Sequence, residues 1–267
     1  MTAGRVALLF ALTALAAGCK GQSVDARSNF VEDGVQLIAD AAWTGERIEI
    51  GNLGVTAGGG LGLSATNTDR VVATARLLAI ADTTDKANAD LTIMAVTRTF
   101  TVTTTSGLTS VQCGHGTQNG SAAAADSGCD ALDVAVPVGT ADKRLTVVAR
   151  SGNGKVGIAV DGAQLAELTL NASHGTIDVK TATTQGASIT IVSETGDDIT
   201  LRLPPDFQAD AIMLDAPPEK IDTSAFPDLQ NGKGRGAAGL GAKLIAVHTN
   251  VAGGASGHIL VVPLTPQ

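Results

Sequence analysis

The chain has 267 residues, a formal net charge of −8 at pH 7 and 44% hydrophobic residues, but only 2% aromatic residues and no tyrosine. A chain of this length buries a substantial core. Its acidic balance argues against nucleic acid or an anionic membrane surface as the partner. The 32 glycines, together with abundant Thr, Val and Ala, indicate a β-rich fold with many turns.

The N-terminus has the layout of a secretory signal peptide. Arg5 precedes an uncharged stretch at residues 6–15, which is too short to span a bilayer as a helix, and small residues lead directly to Cys19. This ending resembles a bacterial lipobox, which implies that the mature chain begins at a lipid-modified Cys19. Because Lys20 rather than Asp follows, the resemblance favours the outer membrane, on either its periplasmic or its surface side. The alternative is an ordinary secretion signal that is cleaved and discarded.

The next segments divide the chain into a tether and one β domain. Residues 20–34 are polar and are predicted to be a tether, and residues 35–267 to be a single β domain. Alternating apolar residues predict early strands at Ile48/Ile50, Leu61/Leu63, Val71/Ala73 and residues 100–104. Between them, residues 82–96 fit one short helix capped by Asp82 or Thr83.

Two cysteines remain after Cys19, namely Cys113 and Cys129. In an oxidising envelope such a pair predicts a disulfide. Closing a loop of about 15 residues is worth roughly 3 kcal/mol in the chain-entropy model. The alternative is two separate buried thiols.

The middle of the chain, residues 131–215, carries a repeat of 21–23 residues. Each unit holds two pairs of apolar residues, and the members of a pair are separated by one outward residue, which is the mark of a strand with one buried face. The first series is Val134/Val136, Val156/Ile158, Ile177/Val179 and Ile199/Leu201. The second series is Leu145/Val147, Leu168/Leu170, Ile189/Ile191 and Ile212/Leu214.

Glycines follow the same period. Gly154, Gly175 and Gly196 each precede a first-series strand and suit a repeated tight corner, and Gly257 has the sequence of a later copy. Periods of this length are typical of stacked units. The predicted fold is therefore all-β, a right-handed β-solenoid-like stack of two-strand coils. An antiparallel β-sandwich is the alternative, because strands about 11 residues apart also fit a meander.

Three short segments carry a family resemblance. Residues 173–179, residues 195–201 and the apparent coil ending at residues 202–207 resemble the putative-adhesin family of bacterial envelope proteins. The resemblance covers residues 131–262, about half the chain. It implies a β-solenoid domain and a surface role, and it brings no catalytic residues.

The sequence provides no convincing catalytic, cofactor or metal site. The four histidines, His115, His174, His248 and His258, lack metal-ligand spacing. The pair Asp197-Asp198 lacks a calcium-binding pattern, and the G-x-G-x-x-G match at residues 234–239 follows no predicted strand. We interpret both as turns or loops.

These observations predict a lipid-anchored envelope protein with a structural or adhesive role and no catalysis. Its partners would be the membrane, through Cys19, and an unidentified protein or glycan, without nucleic acid or a cofactor. The alternative is a carbohydrate-binding or carbohydrate-active protein that uses a flank of the solenoid, although the scarcity of aromatic residues counts against it.

Overall fold

In the computed structural model, residues 28–52, 60–81, 99–114, 128–152, 154–249 and 256–265 are described. They contain seventeen strands and a 3-10 turn at Pro218–Lys220. The strands are β1 (Ser28–Ile38), β2 (Arg47–Asn52), β3 (Gly60–Thr66), β4 (Val72–Ala81), β5 (Thr101–Thr105), β6 (Leu108–Cys113), β7 (Gly128–Pro137), β8 (Leu145–Ser151), β9 (Val156–Val160), β10 (Leu165–Ala172), β11 (Ile177–Thr181), β12 (Ser188–Ser193), β13 (Ile199–Leu203), β14 (Ile212–Asp215), β15 (Ile221–Asp222), β16 (Leu244–His248) and β17 (Ile259–Pro263). The predicted helix at residues 82–96 lies outside the described residues.

The strands form two mixed sheets, so the all-β prediction is confirmed. Sheet A has the order β1-β4-β7-β3-β9-β11-β13-β17-β15, and sheet B has the order β14-β16-β12-β10-β8-β2-β6-β5. From β6 onward, consecutive strands alternate between the sheets. Neighbouring strands pair in parallel, except in the antiparallel pairs β1–β4, β4–β7 and β5–β6 among the described residues. We call two consecutive strands, one in each sheet, a coil.

The predicted inward residues form the core between the sheets. All sixteen members of the two series are buried, with at most 3% of their surface exposed. In sheet A, Ile177 pairs with Val156 on one side and with Ile199 on the other. In sheet B, Ile189 lies between Leu168 and Ile245. The period therefore places apolar side chains in register from coil to coil.

Between β8 and β10 the register differs from the simple alignment of the series. Leu168 pairs with Val147 rather than with Leu145, and Leu145 pairs instead with Leu165. An irregularity between Leu165 and Glu167 takes up the difference. Since the shift leaves Leu145 and Leu165 facing inward, the core remains continuous.

The spatial order of the coils departs from the chain order at both ends. The coil β2/β3 lies between β6/β7 and β8/β9, and the coil β16/β17 lies between β12/β13 and β14/β15. As a result, Val134 is separated from the first-series residue Ile158 by Leu63 of β3. These insertions bring together segments that lie far apart in sequence.

The glycine corners are left-handed, as the sequence predicts. The φ angles of Gly154, Gly175 and Gly196 are 87°, 101° and 77°. A Cβ atom on Gly175 would collide with the carbonyl group of Gly154, because successive corners stack directly on one another. Gly257, the predicted later copy, also approaches its neighbour closely, since a Cβ there would lie 2.4 Å from the Asp197 carbonyl oxygen, but its φ is not left-handed.

The N-terminal part adds a strand and a covalent link. β1 begins at Ser28 and pairs with β4, so residues 28–34 of the predicted tether lie in a strand. A polar segment suffices for such an edge strand, because backbone hydrogen bonds hold it. The predicted disulfide between Cys113 and Cys129 is formed, with a Cα–Cα distance of 5.8 Å, and joins β6 in sheet B to β7 in sheet A.

Candidate binding trough on the stacked strands

Charged side chains meet on the outer face of sheet A. In β11 and β13 the outward residues are in register, which places Lys180 beside Arg202 and Asp178 beside Thr200. The Arg202 guanidinium reaches diagonally and donates to both carboxylate oxygens of Asp178, with Nε–O distances of 2.9 and 3.2 Å. Its Nη2 donates to Asp178 Oδ2 at 3.1 Å. This forked geometry fixes both side chains on the strand surface.

The hydrogen bond to Asp178 raises the pKa of the Arg202 guanidinium above its ordinary value. Both side chains are partly exposed, at 33% for Arg202 and 48% for Asp178. Exposed ion pairs contribute little to stability, typically about 0–1 kcal/mol. The pair is therefore better suited to holding charges in place than to stabilising the fold.

A cleft of about 490 Å³ surrounds this pair. Its lining comprises Asp161, Asp178, Lys180, Arg202, Pro204, Pro205, Leu264 and Thr265. Within the part of the chain that the structure describes, the Lys180 side chain has no hydrogen bond or ion pair, in contrast to Arg202. Lys180 is thus the cation in the cleft that is available to an anionic group of a ligand.

A second groove of about 380 Å³ shares Asp161 and Pro204 with this cleft. Its other lining residues are Gly162, Ala163, Gln164, Ala182, Thr183, Thr184, Asp206, Phe207, Gln208, Leu240 and Gly241. Together the two make one surface along the carboxyl ends of β9, β11 and β13, which we call the polar trough. Its carboxylate, amide, hydroxyl and ammonium groups can hydrogen-bond an extended polar chain.

Hydrogen bonds between successive corners hold the floor of the polar trough. The Leu165 amide donates to the Thr184 hydroxyl oxygen at 3.1 Å, and that hydroxyl donates to the Ala163 carbonyl oxygen at 3.4 Å. Gln185 Nε2 donates to the Gly239 carbonyl oxygen at 2.6 Å. These hydrogen bonds join residues of different coils, so the backbone beneath the polar trough is held by the packing of the coils.

An arginine packed against two aromatic rings, which contact each other edge to face, supports the adjoining loop. The Arg235 guanidinium carbon lies 4.5 Å from the ring centroid of Phe207 and 5.2 Å from that of Phe226. Arg235 also donates to the Phe207 carbonyl oxygen at 2.7 Å and to Asp228 Oδ2 at 2.9 Å. The G-x-G-x-x-G segment at residues 234–239 is therefore a loop, as predicted, and its arginine fixes the loop by cation–π contacts.

The acidic pair Asp197-Asp198, at the corner before β13, links neighbouring coils through hydrogen bonds. Asp197 Oδ2 accepts hydrogen bonds from the Gly175 amide at 2.8 Å and from the Thr195 hydroxyl at 2.7 Å. Asp198 Oδ1 accepts the His258 amide at 2.8 Å and lies 3.1 Å from His258 Nδ1. The His258 amide is the main cause of a lowered Asp198 pKa. These carboxylates connect three coils.

The remaining predicted site residues lie apart from the polar trough. His174 is an exposed corner residue, and His248 is 3.4 Å from Asp215 on sheet B. Across the described ranges, no group of three or more His, Cys, Asp or Glu side chains could hold a metal. Cys19 and His115 lie outside those ranges. Sequence reasoning missed Lys180 and Arg202, although their separation of one repeat unit predicts that they are neighbours.

Comparisons with known proteins provide one structural likeness. No family model and no curated protein matches the chain. A crystal structure described as a "putative cell adhesion protein" from Clostridium sporogenes superposes with a TM-score of 0.53 at 10% sequence identity. The match covers 89% of this chain and all of that one, and it shows that the two share a fold. Among the described residues, no helix is long and apolar enough to cross a membrane.

Proposed function

We propose that this chain is a lipid-anchored protein of the cell envelope with a structural or adhesive role and no catalysis. Its body would be a right-handed β-solenoid-like stack of two-strand coils, and the polar trough would contact the partner. The parallel ladders, the alternation of strands between two sheets and the fold shared with a protein described as a "putative cell adhesion protein" support this proposal.

The geometry of the polar trough is the main support for the adhesive role. It combines a long, polar surface with a backbone fixed by contacts between coils, so a partner would bind without first ordering the site. Lys180 would pair with a carboxylate of the partner, since Arg202 is already occupied by Asp178. The occupant that fits is an extended polar chain bearing carboxylates.

The anchor would be lipid on Cys19, placed in the outer membrane. Residues 19–27 precede β1 and, fully extended, reach at most about 30 Å. The β-stack would therefore remain close to the bilayer. Metabolic labelling with a palmitate analogue tests the anchor: we expect label on the wild-type chain and none on Cys19→Ala. Label retained on Cys19→Ala, or absent from both, would contradict it.

Binding of immobilised protein to three polymers tests the adhesive role. The probes are gelatin as an extended polypeptide, alginate as an acidic glycan and dextran as a neutral glycan. We expect gelatin to bind and Lys180→Glu to weaken it about tenfold. Lys155→Glu, a matched exposed change at the opposite end of the neighbouring strand, should leave binding unchanged. Absence of polymer binding, or equal loss in both variants, would overturn the assignment of the polar trough.

Carbohydrate binding or turnover at the same trough is the second candidate. The hydroxyl, amide and carboxylate groups of Thr183, Gln164 and Asp161 favour it, because such groups hydrogen-bond sugars. Phe207 and Phe226 count against it, because both are buried and neither offers an open ring face. Binding of alginate or dextran without gelatin would support this candidate. Release of reducing ends that is lost in Asp161→Asn would establish an enzyme and refute the non-catalytic role.

A further inference from the structure

The four outer edges of the two sheets differ in their protection. Sheet A ends at β1 and β15, and sheet B ends at β14 and β5. An exposed edge strand presents unpaired backbone groups to other chains, so stable proteins shield such edges with charges, bulges, short strands or covering loops. Three of these edges carry such a device.

At β14, a loop takes the place of a further strand. The Asn231 side chain accepts from the Leu214 amide and donates to the Leu214 carbonyl oxygen, both at 2.7 Å. The Gly232 amide donates to the Ile212 carbonyl oxygen at 2.8 Å, and the Ile212 amide donates to the Lys233 carbonyl oxygen at 3.1 Å. These bonds occupy the outer edge of β14.

Sheet A is protected in other ways. β15 contains only two residues, Ile221 and Asp222, and so offers little backbone to a partner. The pairing of β1 with β4 is irregular between Glu32 and Val35. Irregular pairing of this kind discourages the addition of another strand.

β5 differs from the other three edge strands. Its sequence, Thr101-Val102-Thr103-Thr104-Thr105, has no charge and no proline, and its pairing with β6 is regular. Among the described residues, β6 is the only strand that pairs with it. Thr103 and Thr105 are exposed. All five residues are β-branched and suit a strand that pairs on both sides.

We propose that β5 pairs in antiparallel orientation with β5 of a second copy of this chain, which makes one continuous sheet across a two-fold axis. With Thr103 opposite Thr103, the remaining cross-strand pairs are Thr–Thr and Val–Thr, and these are favourable neighbours. Copies of a chain with net charge −8 repel each other, and β5 is an uncharged edge at which they can approach. The two-fold contact uses β5 of both copies, so association stops at the dimer. This inference does not depend on the proposed function.

Sedimentation velocity of residues 20–267 across a wide concentration range tests the inference. We expect wild-type protein to form a dimer, and Thr103→Lys and Thr103→Asp each to weaken it at least tenfold, because each places like charges opposite each other on the axis. The control is Thr190→Lys, an outward residue of the central strand β12 in the same sheet, which should dimerise like wild type. Circular dichroism confirms that each variant is folded.

Mixing the two charged variants distinguishes β5 from other contacts. Lysine opposite aspartate restores an attractive pair, so equal amounts of Thr103→Lys and Thr103→Asp should form a mixed dimer although neither forms one alone. A wild-type chain that stays monomeric at the highest concentration would overturn the inference. So would a dimer that persists in Thr103→Lys, or failure of the mixture to associate.

Discussion

The middle of the stack and its inserted coils are built from the same two-strand unit but are ordered differently. From β8 to β13 the coils keep their chain order in space, because β10/β11 lies between β8/β9 and β12/β13. The inserted coils, β2/β3 and β16/β17, lie instead between coils that come from other parts of the chain. A short sequence period therefore specifies the unit, whereas the position of an end coil depends on long-range pairing.

Insertion changes what the ends of the chain contribute to stability. In a simple stack the last coil has one neighbour and frays most easily. Here β16 pairs with β12 on one side and with β14 on the other, and β17 pairs with β13 and β15. The coil β16/β17 is thus paired on both sides. Its local unfolding would expose the apolar residues of both neighbouring coils.

The largest expected effect compares Ile245 of the inserted strand β16 with Ile189 of the central strand β12. Both are fully buried and pair with each other. Truncation of a buried isoleucine to alanine costs about 2–5 kcal/mol. We expect Ile245→Ala and Ile189→Ala to lower the free energy of unfolding in urea by similar amounts. A cost for Ile245→Ala below half of that for Ile189→Ala would show that the inserted coil frays like a simple end.

At the other end of the stack, the disulfide links the two strands of the coil β6/β7. Cys113 and Cys129 are 16 positions apart, and both are buried. We expect the double change Cys113→Ala/Cys129→Ala to lower the free energy of unfolding by about 3 kcal/mol, because the unfolded chain gains entropy. Urea unfolding of wild-type protein with and without reductant is the control. Equal stability with and without reductant would contradict this prediction.

The sequence predicted what repeats locally. The sixteen inward residues and the left-handed glycines follow from periods of two and of about twenty residues. The disulfide follows from the cysteine count and the predicted compartment. The insertion of β16 was not predictable, because Ile245 fits a neighbour such as Ile189 or Ile212 equally well by side-chain type. Residues 28–34 of β1 were predicted as part of the tether because they are mostly polar.

The polar trough could not be predicted from the sequence for a related reason. Lys180 and Arg202 each appear in the sequence as isolated outward charges, and only the parallel register places them side by side. The two residues are 22 positions apart, which is one repeat unit, so they are predicted to be neighbours once the strands are known to be parallel. The contact between Asp198 and His258 could not be predicted from the repeat step. His258 lies 60 positions away in sequence, directly before β17 of the inserted coil.

A medium effect is expected where glycine corners stack. Gly175 has a φ of 101°, and an added Cβ would collide with the Gly154 carbonyl. Residues in such a conformation cost about 1–3 kcal/mol, so we expect Gly175→Ala to destabilise the fold by at least this amount. The control is Gly157→Ala in β9, where a Cβ meets no atom within 4 Å. That change should be neutral or slightly stabilising in thermal unfolding. Equal effects at both positions would refute the corner argument.

The smallest effect concerns the corner where the inserted coil joins the stack. There, Gly257 lacks the left-handed φ of the middle corners. The Asp198 carboxylate accepts a hydrogen bond from the backbone amide of His258. Because the Asp198 pKa is lowered in the folded chain, its stabilising contribution is full above about pH 4, the ordinary aspartate value, and is lost as pH falls through the folded-state pKa.

His258→Ala removes the ring but keeps the main-chain amide, which is the larger cause of the shift. We therefore expect the Asp198 pKa, followed by carboxyl NMR, to rise only part of the way toward its ordinary value. The loss of stability at pH 7 should stay below about 1 kcal/mol, because the pair is exposed. His174→Ala, at the preceding corner, should leave the Asp198 titration unchanged. A full return of the pKa would mean that the imidazole, rather than the backbone of the inserted coil, holds this carboxylate.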